Sequence, residues 1–197
     1  MARLPMVLGT LDLPIAELCA ARLDGELFAI DDGWAPVDEP DLPAFRAAVT
    51  ALRMPRPLVI ERMSAAWVHG AVAVPPAVAQ FCVPHNARIA PIGDRRAIVR
   101  EVKLDESEVV ELGGIRCTSV LRTGFDLLRD ADYDALDGEG VIGALMASRP
   151  WLGSALGARL DAATRMPHKS LALARLEHAV AAGSAAVETL RQPSLTR

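Results

Sequence analysis

The sequence has few of the residues that several large classes of protein need. Its three cysteines, Cys19, Cys82 and Cys117, lie far apart and form no Cys-x-x-Cys or Cys-x-x-His pair, so they indicate small buried residues and no zinc or redox centre. The longest apolar region, 141–160, contains two arginines and a proline and is therefore not a membrane span. The apolar N-terminal run reaches Asp12 before a signal-peptide core is complete, and we expect a cytoplasmic protein.

Motifs of the common catalytic classes are also missing. There is no phosphate-binding loop, GxGxxG, GxSxG, HExxH or paired-carboxylate motif. The four histidines lie on different predicted segments, without an acidic neighbour at metal-ligand spacing. We therefore predict no catalytic residue, no metal site and no cofactor. His69 ends a predicted helix, where the helix dipole favours the charged imidazolium, and we expect it to act as a structural cap.

Basic residues are scarce at the start of the chain. Between residues 12 and 41 the only one is Arg22, within a run of aspartates and glutamates, whereas seven basic and three acidic residues follow position 148. The formal net charge is -4. Because phosphate binding needs clustered Lys and Arg, this balance argues against a nucleic-acid footprint over the whole surface. Two solvated faces of opposite sign are the simplest interpretation, and attraction of a partner is the alternative.

What the sequence does contain is enough apolar material for a core, since 51% of its 197 residues are hydrophobic. This length fits one domain with an appendage or two small domains. The pattern predicts an α+β fold, in which a short helix and a β-hairpin precede a small mixed sheet with flanking helices and a mainly helical C-terminal part. The corresponding divisions are 1–41, 42–134 and 135–197.

Hydrophobic spacing and turn residues predict the individual elements. Helices are expected at 14–23, 42 to about 54, 64–70, after Ser119, and over most of 135–191 with breaks at 149–150 and 166–167. Extended segments are expected at 26–30 with 33–37, at 78–83, at 98–104, and at 109–112 with 115–118. Gly113 and Gly114 permit a tight hairpin, and Ser64 and Ser119 are expected helix caps. The expected buried stripes are Leu121, Phe125 and Leu128, and Leu173, Leu176 and Val180.

The densest polar constellation lies between residues 113 and 126, at a strand-to-helix junction. Arg122 and Asp126 are four positions apart on one helical face, where an exposed ion pair is worth about 0.2–0.5 kcal/mol. One interpretation is a capped and salt-bridged helix. The other is a helix N-terminus that offers free backbone N–H groups and Arg122 to a phosphate or an acidic side chain.

Two segments carry a family resemblance. Ser64-Ala-Ala-Trp-Val-His-Gly70, then a strand at 80–83, then Gly114-Ile-Arg-Cys-Thr-Ser-Val-Leu-Arg-Thr-Gly-Phe-Asp-Leu127 together resemble the AbiEi-like antitoxins of type IV toxin–antitoxin systems. The likeness covers roughly residues 14–130. Val120 stands where the family has proline, and Gly124 where it has an aliphatic residue. The resemblance sets no catalytic residue and implies a candidate binding junction made of Ser64, Trp67, His69, Arg116, Thr118, Ser119, Arg122, Thr123 and Asp126.

The family resemblance also implies a function. Its members combine a DNA-binding winged helix with an α/β domain associated with neutralising a nucleotidyltransferase-like toxin. Residues 15–37 are similar to the last helix and the wing of such a module, a reduced remnant with acidic residues in the wing. We therefore expect weak, non-specific DNA binding and a non-catalytic antitoxin-like regulator that contacts its toxin.

Two alternatives stay open. The first is a transcriptional repressor that reads DNA through the reduced wing. The second is a nuclease-related protein with a degenerate or missing catalytic half, because residues 182–191 resemble the beginning of a Vsr-like endonuclease domain, in which a glutamate, here Glu188, opens the catalytic set.

Overall fold

A computed structural model describes residues 5–53, 58–85, 95–164 and 166–191, without the side chains of 184–191. The helices are α1 (Ile15–Leu23), α2 (Pro43–Leu52), α3 (Arg62–Val68), α4 (Val120–Leu128), α5 (Gly138–Ala147), α6 (Leu152–Ala162) and α7 (Lys169–Arg191). The strands are β1 (Leu27–Ile30), β2 (Gly33–Pro36), β3 (Val59–Ile60), β4 (Ala79–Pro84), β5 (Ala97–Val102), β6 (Val109–Leu112) and β7 (Ile115–Thr118). The predicted α+β class with a small mixed sheet is confirmed.

The first part of the chain is the predicted helix and hairpin. Strands β1 and β2 pair antiparallel as a separate two-stranded sheet, and Asp31 takes a positive φ of 52° at its tip. Helix α1 is attached through Leu18, which packs with Leu8 and Leu27 in a small core of its own. The other side of α1 is open, and Cys19, expected to be buried, is exposed because it faces away from that core.

The main sheet has five strands in the order β5-β4-β3-β7-β6. The β3–β4 and β6–β7 pairs are antiparallel, and the β3–β7 and β4–β5 pairs are parallel. The predicted hairpin forms in the expected register, with Leu112 opposite Ile115 and positive φ at Gly113 and Gly114. The sequence analysis missed β3, which has only two residues although it lies at the centre of the sheet.

Two hydrophobic cores share one wall. The first lies between one face of the sheet and α2, with Ile60, Phe81 and Phe45 among its members. The second lies among α4, α5, α6 and α7. Helix α3 is buried from Met63 to Val68, and it gives Ala65, Trp67 and Val68 to the first core but Met63 and Ala66 to the second. Through α3 the sheet and the C-terminal helices form one packed body.

Three predicted details need correction. Helix α3 begins at Arg62, so Ser64 is no cap; its Oγ accepts the backbone N–H of Gln80 at 2.9 Å instead. The buried stripe of α7 is Ala172, Leu176 and Ala179, with Leu173 half-buried and Val180 44% exposed, because small residues let α7 approach its neighbours closely. Leu121 is only partly buried. The expected end of the second helix near Met54 lies outside the described residues.

Within the described ranges, no helix combines the length and the hydrophobicity that are needed to cross a membrane.

Candidate functional site

Part of the predicted junction links α3, β7 and α4 around His69. Its Nε2 lies 2.7 Å from the carbonyl oxygen of Thr118, so Nε2–H donates to that oxygen. The hydroxyls of Thr118 and Thr123 are 2.8 Å apart, and both residues are fully buried. Arg149 adds a bond to the carbonyl of His69 at 3.3 Å. These bonds fasten the end of α3 to the start of α4.

The expected charged state of His69 is wrong. Burial lowers the pKa of His69, against the opposing effect of its bond to Thr118, and the nearby Arg149 lowers it further. The favourable dipole at a helix end is a small effect, worth about 0.3–1 kcal/mol at exposed positions. Desolvation of an imidazolium is larger, so His69 is a neutral structural donor.

Three further members of the predicted junction, Trp67, Arg116 and Ser119, have separate partners. Trp67 packs in the first core, where the guanidinium of Arg46 lies 5.7 Å from its ring. Arg116 points away from the junction and pairs with Glu106 at 2.7 Å. Ser119 caps α4 as predicted, since its Oγ accepts the backbone N–H of Arg122 at 3.3 Å.

The predicted pair of Arg122 and Asp126 is present, with Nε to Oδ2 at 2.7 Å. It is buried, however, since only 6% of Arg122 and 7% of Asp126 are exposed. Arg122 also donates to the carbonyl of Lys103 at 2.9 Å and to Glu108. The small value expected for an exposed pair therefore does not apply, because removing one partner of a buried pair costs about 3–5 kcal/mol.

Glu108 joins α4 to α6. Its two carboxylate oxygens accept from Arg122 and Arg159, and the Arg159 guanidinium also lies 4.4 Å from the ring of Phe125. Burial raises the pKa of Glu108, but a backbone bond from Asp105 and the two guanidinium groups outweigh burial and hold the pKa below its usual range. We call Glu108, Arg122, Asp126 and Arg159 the ion-pair cluster.

A second buried ion pair was not predicted from the sequence. Glu61 follows the last residue of β3, is 0% exposed, and accepts Arg100 Nε from β5 at 2.6 Å. Burial raises the pKa of Glu61, the Arg100 guanidinium opposes this, and the carboxylate of Asp126 adds to the rise. The available signals were a charged residue directly after the apolar run 58–60, and Arg100 at an alternating position of a strand.

These polar groups are bonded to one another. Every carboxylate of the ion-pair cluster and the carboxylate of Glu61 accepts from an arginine of the chain. Burial raises the pKa of the Cys82 and Cys117 thiols, so they stay protonated. In the part of the chain that the structure describes, no group of three or more His, Cys, Asp or Glu residues is arranged to hold a metal ion. The arrangement is suited to joining the sheet to the helices.

A comparison of the sequence with models of protein families finds no match, and a comparison with curated proteins finds none either. The AbiEi-like resemblance therefore stays a prediction that rests on the two segments quoted above.

The basic residues after position 148 form no open basic face where they are described. Arg159 bonds to Glu108, and Lys169 Nζ donates to the carbonyl of Asp161 at 2.7 Å. Arg175 donates to the carbonyls of Leu128 and Asp130. The expected solvated basic face is thus a set of cations bonded within the chain. Glu188 lies on α7 among the residues whose side chains are not described.

The C-terminal helices enclose an open groove of about 1250 Å³. Its α5 wall carries Gly140, Gly143, Ala144 and Ala147, and its α7 wall carries Val180 and Gly183. Gly153 of α6 also lines it, and Asp137 and Glu139 lie at the N-terminal end of α5. We call this feature the small-residue groove. It lies outside the predicted junction.

Proposed function

We propose that this chain is a cytoplasmic, non-catalytic regulatory protein of the antitoxin type, which acts by contact with a nucleotidyltransferase-like toxin. The observation that carries the proposal is the state of the predicted junction. Arg122 and Asp126 are each less than a tenth exposed and pair with each other, and the half-buried Arg116 pairs with Glu106. A charged side chain that is buried and paired in this way holds secondary-structure elements together. It could contact a substrate only if the surrounding helices and strands moved apart.

The same junction makes the protein a rigid support for a contact surface. The ion-pair cluster joins α4 and α6 to the turn before β6 through Glu108, and His69 joins α3 to β7. Interfaces between pre-organised proteins lose less free energy on ordering their side chains and loops. A regulator that works by contact benefits from this rigidity.

The repressor alternative receives less support. Arg22, Asp24 and Glu26 are exposed on α1 and the following turn, where DNA phosphates would meet more negative than positive charge. Asp31 and Asp32 at the hairpin tip already pair with Arg53 and Arg96. The nuclease alternative depends on Glu188, whose side chain lies outside the described residues.

Co-expression tests the proposal. The tagged full-length chain is produced together with each nucleotidyltransferase-like protein of its source genome, and growth, co-purification and the intact mass of the toxin are measured. We expect restored growth, a complex that survives size-exclusion chromatography, and an unchanged toxin mass. A tagged protein of similar size and charge serves as the control bait. Restored growth with a covalently changed toxin, or without any complex, would contradict a contact mechanism.

A further inference from the structure

The small-residue groove is wide enough for a piece of another protein. Its volume of about 1250 Å³ exceeds the roughly 300–1,000 Å³ of ordinary small-molecule sites. A Cβ atom built on Gly143 meets nothing within 4 Å, so the space above the middle of α5 is open. The α5 residues that line the groove, Gly140, Gly143, Ala144 and Ala147, follow the three-and-four spacing of one helical face.

Small residues at that spacing let another helix approach closely. Helices pack with their axes about 8–10 Å apart, and the spacing depends on the side chains at the contact. Since α5 contributes only glycine and alanine to its wall apart from Met146 and the acidic end, a flat helical face fits there better than a bulky loop. An amphipathic helix in a hydrophobic groove is a common mode of recognition.

The charge at the end of the groove indicates what that helix carries. Asp137 and Glu139 are exposed, and among the described side chains that line the groove there is no lysine, arginine or histidine. Complementary charges fix orientation and speed association more than they add affinity. A lysine or arginine at one end of the bound helix would meet these carboxylates.

A second copy of this chain fits less well. It would bring the same two carboxylates to the contact, and the basic residues Arg159, Lys169 and Arg175 of its α6 and α7 are bonded internally. We propose that the small-residue groove binds one amphipathic helix of a partner protein, which presents a face of small and aliphatic residues with lysine or arginine at one end. This rests on the proposed function only in taking the partner to be a protein.

Two labelled peptides serve as probes. Both are helical, about five turns long, with an alanine and leucine face, and they differ in carrying three lysines or three glutamates at one end. Fluorescence anisotropy with the full-length protein measures their dissociation constants. We expect the lysine peptide to bind at least tenfold more tightly. Equal binding of both peptides, or binding of neither, would overturn the proposal.

Variants locate the binding. Gly143→Leu fills the open space, and leucine is favoured over glycine in a helix, so the fold is retained while lysine-peptide binding falls at least tenfold. Ala158→Leu, at an exposed position of α6 outside the lining, is the matched control and leaves binding unchanged. Glu139→Lys places a lysine beside Asp137 and should remove the preference between the peptides, whereas Glu101→Lys on β5 should not. Tight binding of the lysine peptide by the Gly143→Leu protein would refute the groove as the binding site.

The same variants separate this proposal from the function proposed above. If the toxin complex still forms with Gly143→Leu, the contact mechanism stands, but the groove is not the site where the toxin binds. If the peptides bind with the expected charge preference but no toxin complex forms, the groove stands as a helix-binding site and the toxin is not its partner. A concentration-dependent dimer that Gly143→Leu abolishes would assign the groove to a second copy and overturn the proposal.

Discussion

Replacing Arg100 with methionine gives the sharpest test of how the buried charges act. Glu61 is fully buried, whereas 30% of the Arg100 side chain is exposed. In Arg100→Met the carboxylate keeps its burial and loses its guanidinium, which costs about 3–5 kcal/mol. In Glu61→Gln the guanidinium left behind can reach water, and we expect a smaller loss of about 1–3 kcal/mol. The two variants remove the same pair and should differ in stability.

The sign of the pH dependence follows from the pKa of Glu61. Burial already raises this pKa in the folded protein, and removing Arg100 raises it further. The folded state then binds the proton more tightly than the unfolded chain does. In Arg100→Met, the contribution of Glu61 to stability is therefore fully present below the pKa of Glu61 in the unfolded chain, near 4.3. This contribution is lost as the pH rises through the pKa of Glu61 in the folded protein.

Urea unfolding and thermal unfolding, both followed by circular dichroism at several pH values between about 4 and 8, measure the two effects. We expect Arg100→Met to be the less stable variant at pH 7, with a melting midpoint lowered by about 6–20 °C. Its deficit relative to the unchanged protein should shrink toward pH 4, whereas that of Glu61→Gln should not. Equal losses in the two variants, or a deficit of Arg100→Met that is the same at all pH values, would refute the argument.

Four further predictions concern the junction and the hairpin. Ser119→Ala should lower the free energy of unfolding by about 0.5–2 kcal/mol, because α4 loses its N-cap; no change in urea midpoint would count against it. Ionised Glu108 contributes stability above its pKa in the unfolded chain, and this contribution is lost as the pH falls through its lowered pKa in the folded protein. On acidification, Glu108→Gln should therefore lose less stability than the unchanged protein does. An NMR titration should give His69 a pKa below 6.5, and a higher value would contradict its burial as a neutral donor. Fluorescence titration at about 150 mM salt should show no sequence preference for DNA, and tight selective binding abolished by Arg22→Ala would restore the repressor hypothesis.

Local chemistry made part of the fold predictable. Two glycines in succession allow the positive φ values of the β6–β7 turn, and a serine before an apolar stripe provides a cap for α4. Strand β3 could not be found in this way. Its two residues are too few for an alternation, and its pairing with Phe81 and Cys117 depends on chain that follows much later.

The residues of the site show the same difference between local signals and contacts with distant parts of the chain. Arg122 and Asp126 were predictable because an i, i+4 spacing is written in the sequence. The partners Glu108 and Arg159 lie 14 and 51 positions from the residues that they bind, so no local pattern joins them. For His69 the sequence supplied the helix dipole, which favours the charged form, but burial outweighed it. Only the three-dimensional packing supplies that information.

Helix α3 has a consequence for how the protein could be divided. Five of its seven residues are divided between the two cores, so unfolding either core exposes one side of α3. The sheet and the C-terminal helices are then a single cooperative unit, and the amides of α3 should exchange with solvent only when the whole unit unfolds. We therefore expect that a chain cut at the predicted boundary, residue 134, would expose the Met63 and Ala66 side of α3.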